Sequence, residues 1–216
     1  MKQLIKNHWL IAIIFFGITQ SAGAQTLKEV LNSSETPLFY LGIDYTQARL
    51  LDDATADVAA IKNRHYADIN DLVVNEPKKF DLAGAFHKSN IDHDLGLVTK
   101  RNAKINTEEI LSTNSADYSR LKEDDIVKLV KGFDFAGKKG AGLLFIVEGM
   151  SKGKKGASVW VTLIDMSAKK VLMTERIEGK TGMSIGFRNY WANPINDVIK
   201  TIEKKKYKEW QTKYGG

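Results

Sequence analysis

Gly182, Met183, Ser184, Ile185 and Gly186 spell G-x-S-x-G between an expected strand and an expected helix. A nucleophilic serine needs that context, because a sharp turn must lift its hydroxyl clear of the sheet. It also needs a base within hydrogen-bond reach. In the hydrolase fold that uses this turn the acid and the histidine follow the serine, yet here the last histidine is His93. A glycine-rich connector therefore explains the pentapeptide better than catalysis does. Gly179-Lys180-Thr181 resembles the end of a Walker A loop, but Thr174 stands where the motif requires its first glycine. His87 with Asp92, His93 and Asp94 makes a loose acidic and imidazole cluster without the i, i+2 or i, i+4 histidine spacing of a metal site, so no metal is expected. GKKGA occurs twice, at 137–141 and 153–157, and two such loops form one anion cradle only if they are adjacent. An expected strand separates them, which places them at opposite ends of the sheet.

Phe187, Arg188, Asn189, Tyr190 and Trp191 form the densest aromatic and polar cluster after residue 24. Aromatics beside an arginine suit a binding surface, since they bring large area at low entropy cost and a planar donor fork. Arg188, Tyr190 and Trp191 are accordingly candidate binding residues, and Asp44, at the end of an expected central strand, is a fourth. The competing expectation keeps Phe187 and Trp191 in the core and sets Arg188 against a carboxylate such as Glu175.

Elements that must position these residues follow from the apolar patterning. Leu38 to Ile43 is apolar on both alternating faces and predicts a buried central strand ending near Asp44 and Tyr45. Residues 54–74 predict a helix, with Arg64 to Tyr66 as a place for an interruption and Pro77 as the stop. A short helix is expected over 81–86 and a strand over Leu95 to Val98. Residues 121–130 predict a helix with Ile126, Leu129, Val130 and Phe133 on one face, acidic residues in the first turn, lysines in the last and Gly132 at the stop. Residues 142–148, 157–164 and 171–177 predict an antiparallel meander, with Val159, Val161 and Leu163 facing opposite to Ser158, Trp160, Thr162 and Ile164. Asn193 and Pro194 look like the N-cap and first residue of a final helix with Ile195, Val198, Ile199, Ile202 and Trp210 on one stripe. The expected fold class is α/β (α+β): a mixed sheet of four to six strands with a C-terminal antiparallel meander, covered by helices including a long C-terminal one.

Residues 1–24 carry Lys2 and Lys6, then the apolar run WLIAIIFFGI, then Ala22-Gly23-Ala24. These are the three parts of a secretory signal peptide, with cleavage expected between Ala24 and Gln25. The run is half the roughly 20 apolar residues a bilayer core demands, and no later run matches it, so no transmembrane helix is expected after its removal. Residues 25–216 then form a single globular domain, with 25–36 as a flexible lead-in. The absence of cysteine excludes disulfides, thiol catalysis, cysteine-ligated metal and a lipoprotein anchor. Of the formal charge of +6, Lys2 and Lys6 leave with the leader, and the rest lies in residues 199–216, where six lysines face two glutamates. A neutral domain with a basic tail, exported from the cytoplasm, is a poor candidate for binding nucleic acid.

The chain from Leu144 onward resembles a known pattern. A strand, a basic hairpin, the VTLIDMSAKKVL strand pair and GKTGMSIGFRNYW before a long helix resemble an uncharacterised family of secreted or periplasmic proteins from Bacteroidetes-type bacteria, most closely at Gly186 to Trp191. More distantly the layout is similar to the periplasmic α/β domain of curli-secretion lipoproteins and penicillin-binding-protein activators. The resemblance implies an extracytoplasmic role in the Gram-negative envelope and transfers no catalytic residue. The expectation is a non-enzymatic periplasmic or secreted binding or assembly module, without cofactor, whose partner is another envelope protein or a small ligand. The alternative is an extracytoplasmic hydrolase using Ser184 or an acidic site near Asp44.

Overall fold

The computed structural model describes residues 26–215, so the expected leader and the cleavage expected between Ala24 and Gln25 lie outside the described residues. The fold is a seven-stranded mixed sheet with helices on both faces. The segment expected as a lead-in carries helix α1 (Leu27–Asn32), closed by a Thr26 and Glu29 capping box. Strand β1 (Leu38–Asp44) is buried along nearly its whole length. After a short loop comes β2 (Arg49–Leu51). Helix α2 spans residues 58–75, and the interruption expected near Arg64 is a π-helical turn, Ile61–His65. Helix α3 (Leu82–Ala85), strand β3 (Ile91–His93), helix α4 (Gly96–Asn102) and strand β4 (Leu111–Ser112) follow. Helix α5 (Glu123–Lys131) ends at Gly132. Strands β5 (Ala141–Ser151), β6 (Gly156–Asp165) and β7 (Lys170–Lys180) form the expected meander. Helix α6, residues 187–214, closes the chain.

β6 takes one edge of β5 over its full length, so β1 and β2 share the other edge in succession, both parallel to β5. β3 pairs with the start of β1, and β4 with β2, again in parallel. Between them the outer strand is missing, and two buried asparagines replace it. Asn70 of α2 accepts from Ile43 N (2.7 Å) and donates to Ile43 O (3.1 Å). Asn102 of α4 accepts from Tyr45 N (2.8 Å) and donates to Ile43 O (3.0 Å). An amide side chain presents the same donor and acceptor as a peptide, so the backbone of β1 stays paired without a neighbouring strand.

One face of the sheet, with Phe145, Val159, Val161 and Leu163, packs against α2, α3 and α6. The other, with Leu144, Ile146, Trp160 and Ile164, packs against α4 and α5. Coverage on both faces is why every residue of β5 and β6 is buried.

Two expectations are corrected. The strand expected at Leu95 to Val98 is instead the first half of α4, and the strand is Ile91–His93 just before it. Leu97 and Val98 are buried because they lie on the inner side of that short helix. The final helix begins at Phe187 with Gly186 as N-cap, so Asn193 and Pro194 fall inside it. Asn193 spends its side chain on the preceding loop, donating to Thr181 O and to Ser184 Oγ.

Candidate functional site

The first turns of α6, the loop before it and the β5–β6 turn enclose a pocket of about 390 Å³ lined by Lys152, Ser184, Gly186, Phe187, Tyr190 and Trp191. The loop leaves β7 and doubles back between Gly182 and Gly186, both at positive φ (64° and 81°), a region glycine enters without a steric penalty. Two large apolar side chains on it, Met183 and Ile185, are 101% and 93% exposed. Exposure so complete at two positions so close together has no folding rationale, because burial would stabilise either side chain by roughly 1.5–3 kcal/mol. Among the described residues they are the exposed large hydrophobics.

The walls are aromatic. Trp191 is 2% exposed, with Tyr190 edge-on to it at 5.0 Å and Phe187 tilted at 6.2 Å. The π turn of α2 brings His65 onto the Phe187 ring at 4.9 Å, and burial together with the neighbouring Arg64 charge holds His65 below its ordinary imidazole pKa. Lys152 reaches the pocket from the β5–β6 turn while its Nζ pairs with Asp53 Oδ2 at 2.7 Å. Three of the four candidate binding residues thus cluster in sequence, and two of them, Tyr190 and Trp191, line the pocket. Arg188 does not: it is exposed, with its Nε hydrogen-bonded to Asn189 Oδ1 at 3.2 Å. Nor does it meet Glu175, which pairs with Lys206 at 2.7 Å and accepts from Trp210.

Asp44 is elsewhere and closed off. It is fully buried at the end of β1, with Arg101 Nε 2.7 Å from one oxygen and Thr46 N donating to the other at 2.8 Å. Arg101 is itself stacked over Phe133 at 4.6 Å. A carboxylate so engaged ties β1 to α4 and offers no free oxygen to a substrate.

Ser184 has an amide, not a base, as its hydrogen-bond partner. Asn193 Nδ2 donates to its Oγ at 2.8 Å, and an amide nitrogen cannot take a proton from it. His87 packs at a tilt against Tyr207 (4.3 Å), Asp94 pairs with Lys138 (2.9 Å), and Asp92 accepts from Asn90 (3.0 Å). Among the described residues no three acidic or imidazole groups are placed to hold a metal ion. The two GKKGA segments lie at opposite ends of β5, as the intervening strand required.

A larger cleft of about 680 Å³ opens at the carboxyl ends of the parallel strands β2, β4 and β5, a common ligand position in such sheets. Its carboxylates are engaged: Asp52 takes Ser151 Oγ (2.5 Å) and Gly153 N (3.2 Å), and Asp53 takes Lys152 Nζ (2.7 Å); Ser112 donates to Asp117 outside the cleft (2.7 Å). The aromatic pocket keeps the Ser184 hydrogen and two of the three Lys152 ammonium hydrogens for a ligand, which favours it as the site. Lys152 was invisible in the sequence, because it lies far from Ser184 along the chain and only the β5–β6 turn brings the two together.

No protein-family model matches the chain, and no curated protein is significantly similar to it.

Proposed function

We propose that the chain is a non-enzymatic binding or assembly module of the Gram-negative envelope, periplasmic or secreted, that holds a ligand or another envelope protein at the loop of residues 181–191. The observation that carries the reading is the pair of fully exposed apolar side chains, Met183 and Ile185, beside a pocket walled by Phe187, Tyr190 and Trp191. Unburied apolar area next to aromatic walls is the composition of a recognition surface. Export rests on the 1–24 leader, and the envelope assignment on the resemblance of the chain from Leu144 onward. No helix among the described residues is long and apolar enough to cross a membrane.

The neutral dye Nile red should bind the purified protein, and Met183→Ser with Ile185→Ser should lower its affinity about tenfold while the melting temperature moves by no more than about 2 °C. Unchanged dye binding in that variant would sink the reading. Hydrolysis of p-nitrophenyl acetate by the wild type, lost in Ser184→Ala, would replace it with the hydrolase alternative.

A further inference from the structure

Polar groups at the pocket share one property: they offer hydrogens. The Ser184 hydroxyl already accepts from Asn193 Nδ2, which leaves its own hydrogen to give. Lys152 carries three ammonium hydrogens, and Asp53 takes one. Behind the aromatic wall the indole Nε1–H of Trp191 is enclosed with no acceptor, so it meets no ligand directly but reports on what packs against the ring. Gly186 is also the N-cap of α6, a cap without a side-chain acceptor, and no acidic residue stands in the first turn. The free N–H groups and the dipole of that long helix therefore add positive potential at the same place.

Resting on the binding reading above, we infer that this pocket takes an amphipathic monocarboxylate: the carboxylate against Ser184, Lys152 and the start of α6, and the apolar body against Phe187, Tyr190 and Trp191. One ammonium, already shared with Asp53, suits a single negative charge better than a phosphate dianion. The volume of about 390 Å³ lies near the lower end of ligand pockets, roughly 300–1,000 Å³, so a single-ring or short-chain acid fits. Such a group exists both as a free acid and as the C-terminus of a peptide that ends in an apolar residue.

The test follows the indole N–H signals of ¹⁵N-labelled protein, with the Trp191 signal assigned by its loss in Trp191→Phe. 3-Phenylpropionate should shift that signal and bind about tenfold more tightly than 3-phenylpropionamide. Ser184→Ala and Lys152→Gln should each erase most of that preference, and Lys152→Arg should keep it. A peptide ending in Phe that outcompetes 3-phenylpropionate when free, and fails when amidated, assigns the acid to a chain terminus; the reverse order assigns it to a small molecule. Equal affinity for acid and amide, with Nile red still bound at Met183 and Ile185, overturns the carboxylate assignment and leaves the binding reading standing. No shift with any of these ligands and no dye binding overturns both.

Discussion

Glu148 shows how much one side chain organises here. It sits at the bulge of β5 with no exposed surface, and its carboxylate accepts from Trp160 Nε1 (2.9 Å), Ser158 Oγ (3.3 Å), the Leu121 amide and Arg176 Nε (2.9 Å). Arg176 lies over the Trp160 ring at 4.7 Å and reaches the carbonyls of Ser119 and Leu121. Strands β5, β6 and β7 and the segment leading into α5 are thereby tied at one point. Truncating the acid leaves the buried indole N–H and a main-chain N–H without acceptors, each costing about 1–3 kcal/mol. Glu148→Ala should lower the unfolding free energy in urea by about 3–5 kcal/mol, and Glu148→Gln, which keeps one acceptor, by less. Equal losses in the two variants would show that the negative charge paired with Arg176, not the volume or the acceptor that Gln retains, sets the cost.

At the level of elements, helix α6 meets β7 backbone to backbone. A Cβ built on Gly179 would run into Pro194 O and lie 2.7 Å from Pro194 C, both main-chain atoms that cannot turn aside. Pro194 also has no N–H to close the helical turn, so α6 lacks one hydrogen bond of its ladder where it meets the sheet. Gly179→Ala should therefore lift the helix, at about 2–3 kcal/mol, lowering the melting temperature by roughly 5–10 °C. It should also weaken 3-phenylpropionate binding, since Phe187, Tyr190 and Trp191 ride on the same helix. A variant with wild-type melting would mean that the close approach is not retained in solution. This contact explains a failure of sequence reading. Asn-Pro looks like a helix start because both residues are favoured there, but Gly179 lets the sheet close against the Pro194 main chain in mid-helix, and local chemistry cannot report on a partner in another element. The meander and β1 were legible as apolar runs of strand length bounded by turns, and α5 because its apolar residues recur at the helical period. The edge strand Ile91–His93 was not, since only Ile91 in it carries an apolar side chain and its pairing is set by β1. Of the site, Tyr190, Trp191 and Ser184 were legible from composition, whereas Lys152 depended on topology.

Over the whole molecule the ionisable groups that matter most for stability are inside. Tyr40, Tyr45 and Tyr66 are 0–2% exposed, their hydroxyls have no hydrogen-bond partner, and the rings of Tyr45 and Tyr66 are stacked at 3.9 Å. Burial pushes all three phenols well above their usual value near 10. Tyr118, 2% exposed, is pushed up to about 12, again mainly by burial. When the folded pKa of an acid is raised, the unfolded chain loses its proton first, so stability is intact below about pH 10 and falls as pH rises beyond it. The slope is about 1.4 kcal/mol per pH unit for each such tyrosine, or about 4 for Tyr40, Tyr45 and Tyr66 alone, with Tyr118 adding its share up to about pH 12. Lys88 acts with the opposite sign. Its Nζ is bound to Val30 O (2.5 Å) and Ser33 O (2.6 Å) at the end of α1, and burial lowers its pKa. Its contribution rises with pH only until the unfolded lysine titrates, near 10.4, and leaves the tyrosines unopposed above that. For a domain with ordinary stability of about 5–15 kcal/mol, unfolding should set in within roughly one to four pH units above 10. Phenolate absorbance at 295 nm should show the buried tyrosines silent until far-UV circular dichroism collapses, and then ionising together. Tyr66→Phe removes one of these protons, and should make stability fall less steeply with pH by about 1.4 kcal/mol per pH unit. If every tyrosine titrates near pH 10 with the dichroism intact, the three hydroxyls are reached by water in the folded protein and this interior is not dry.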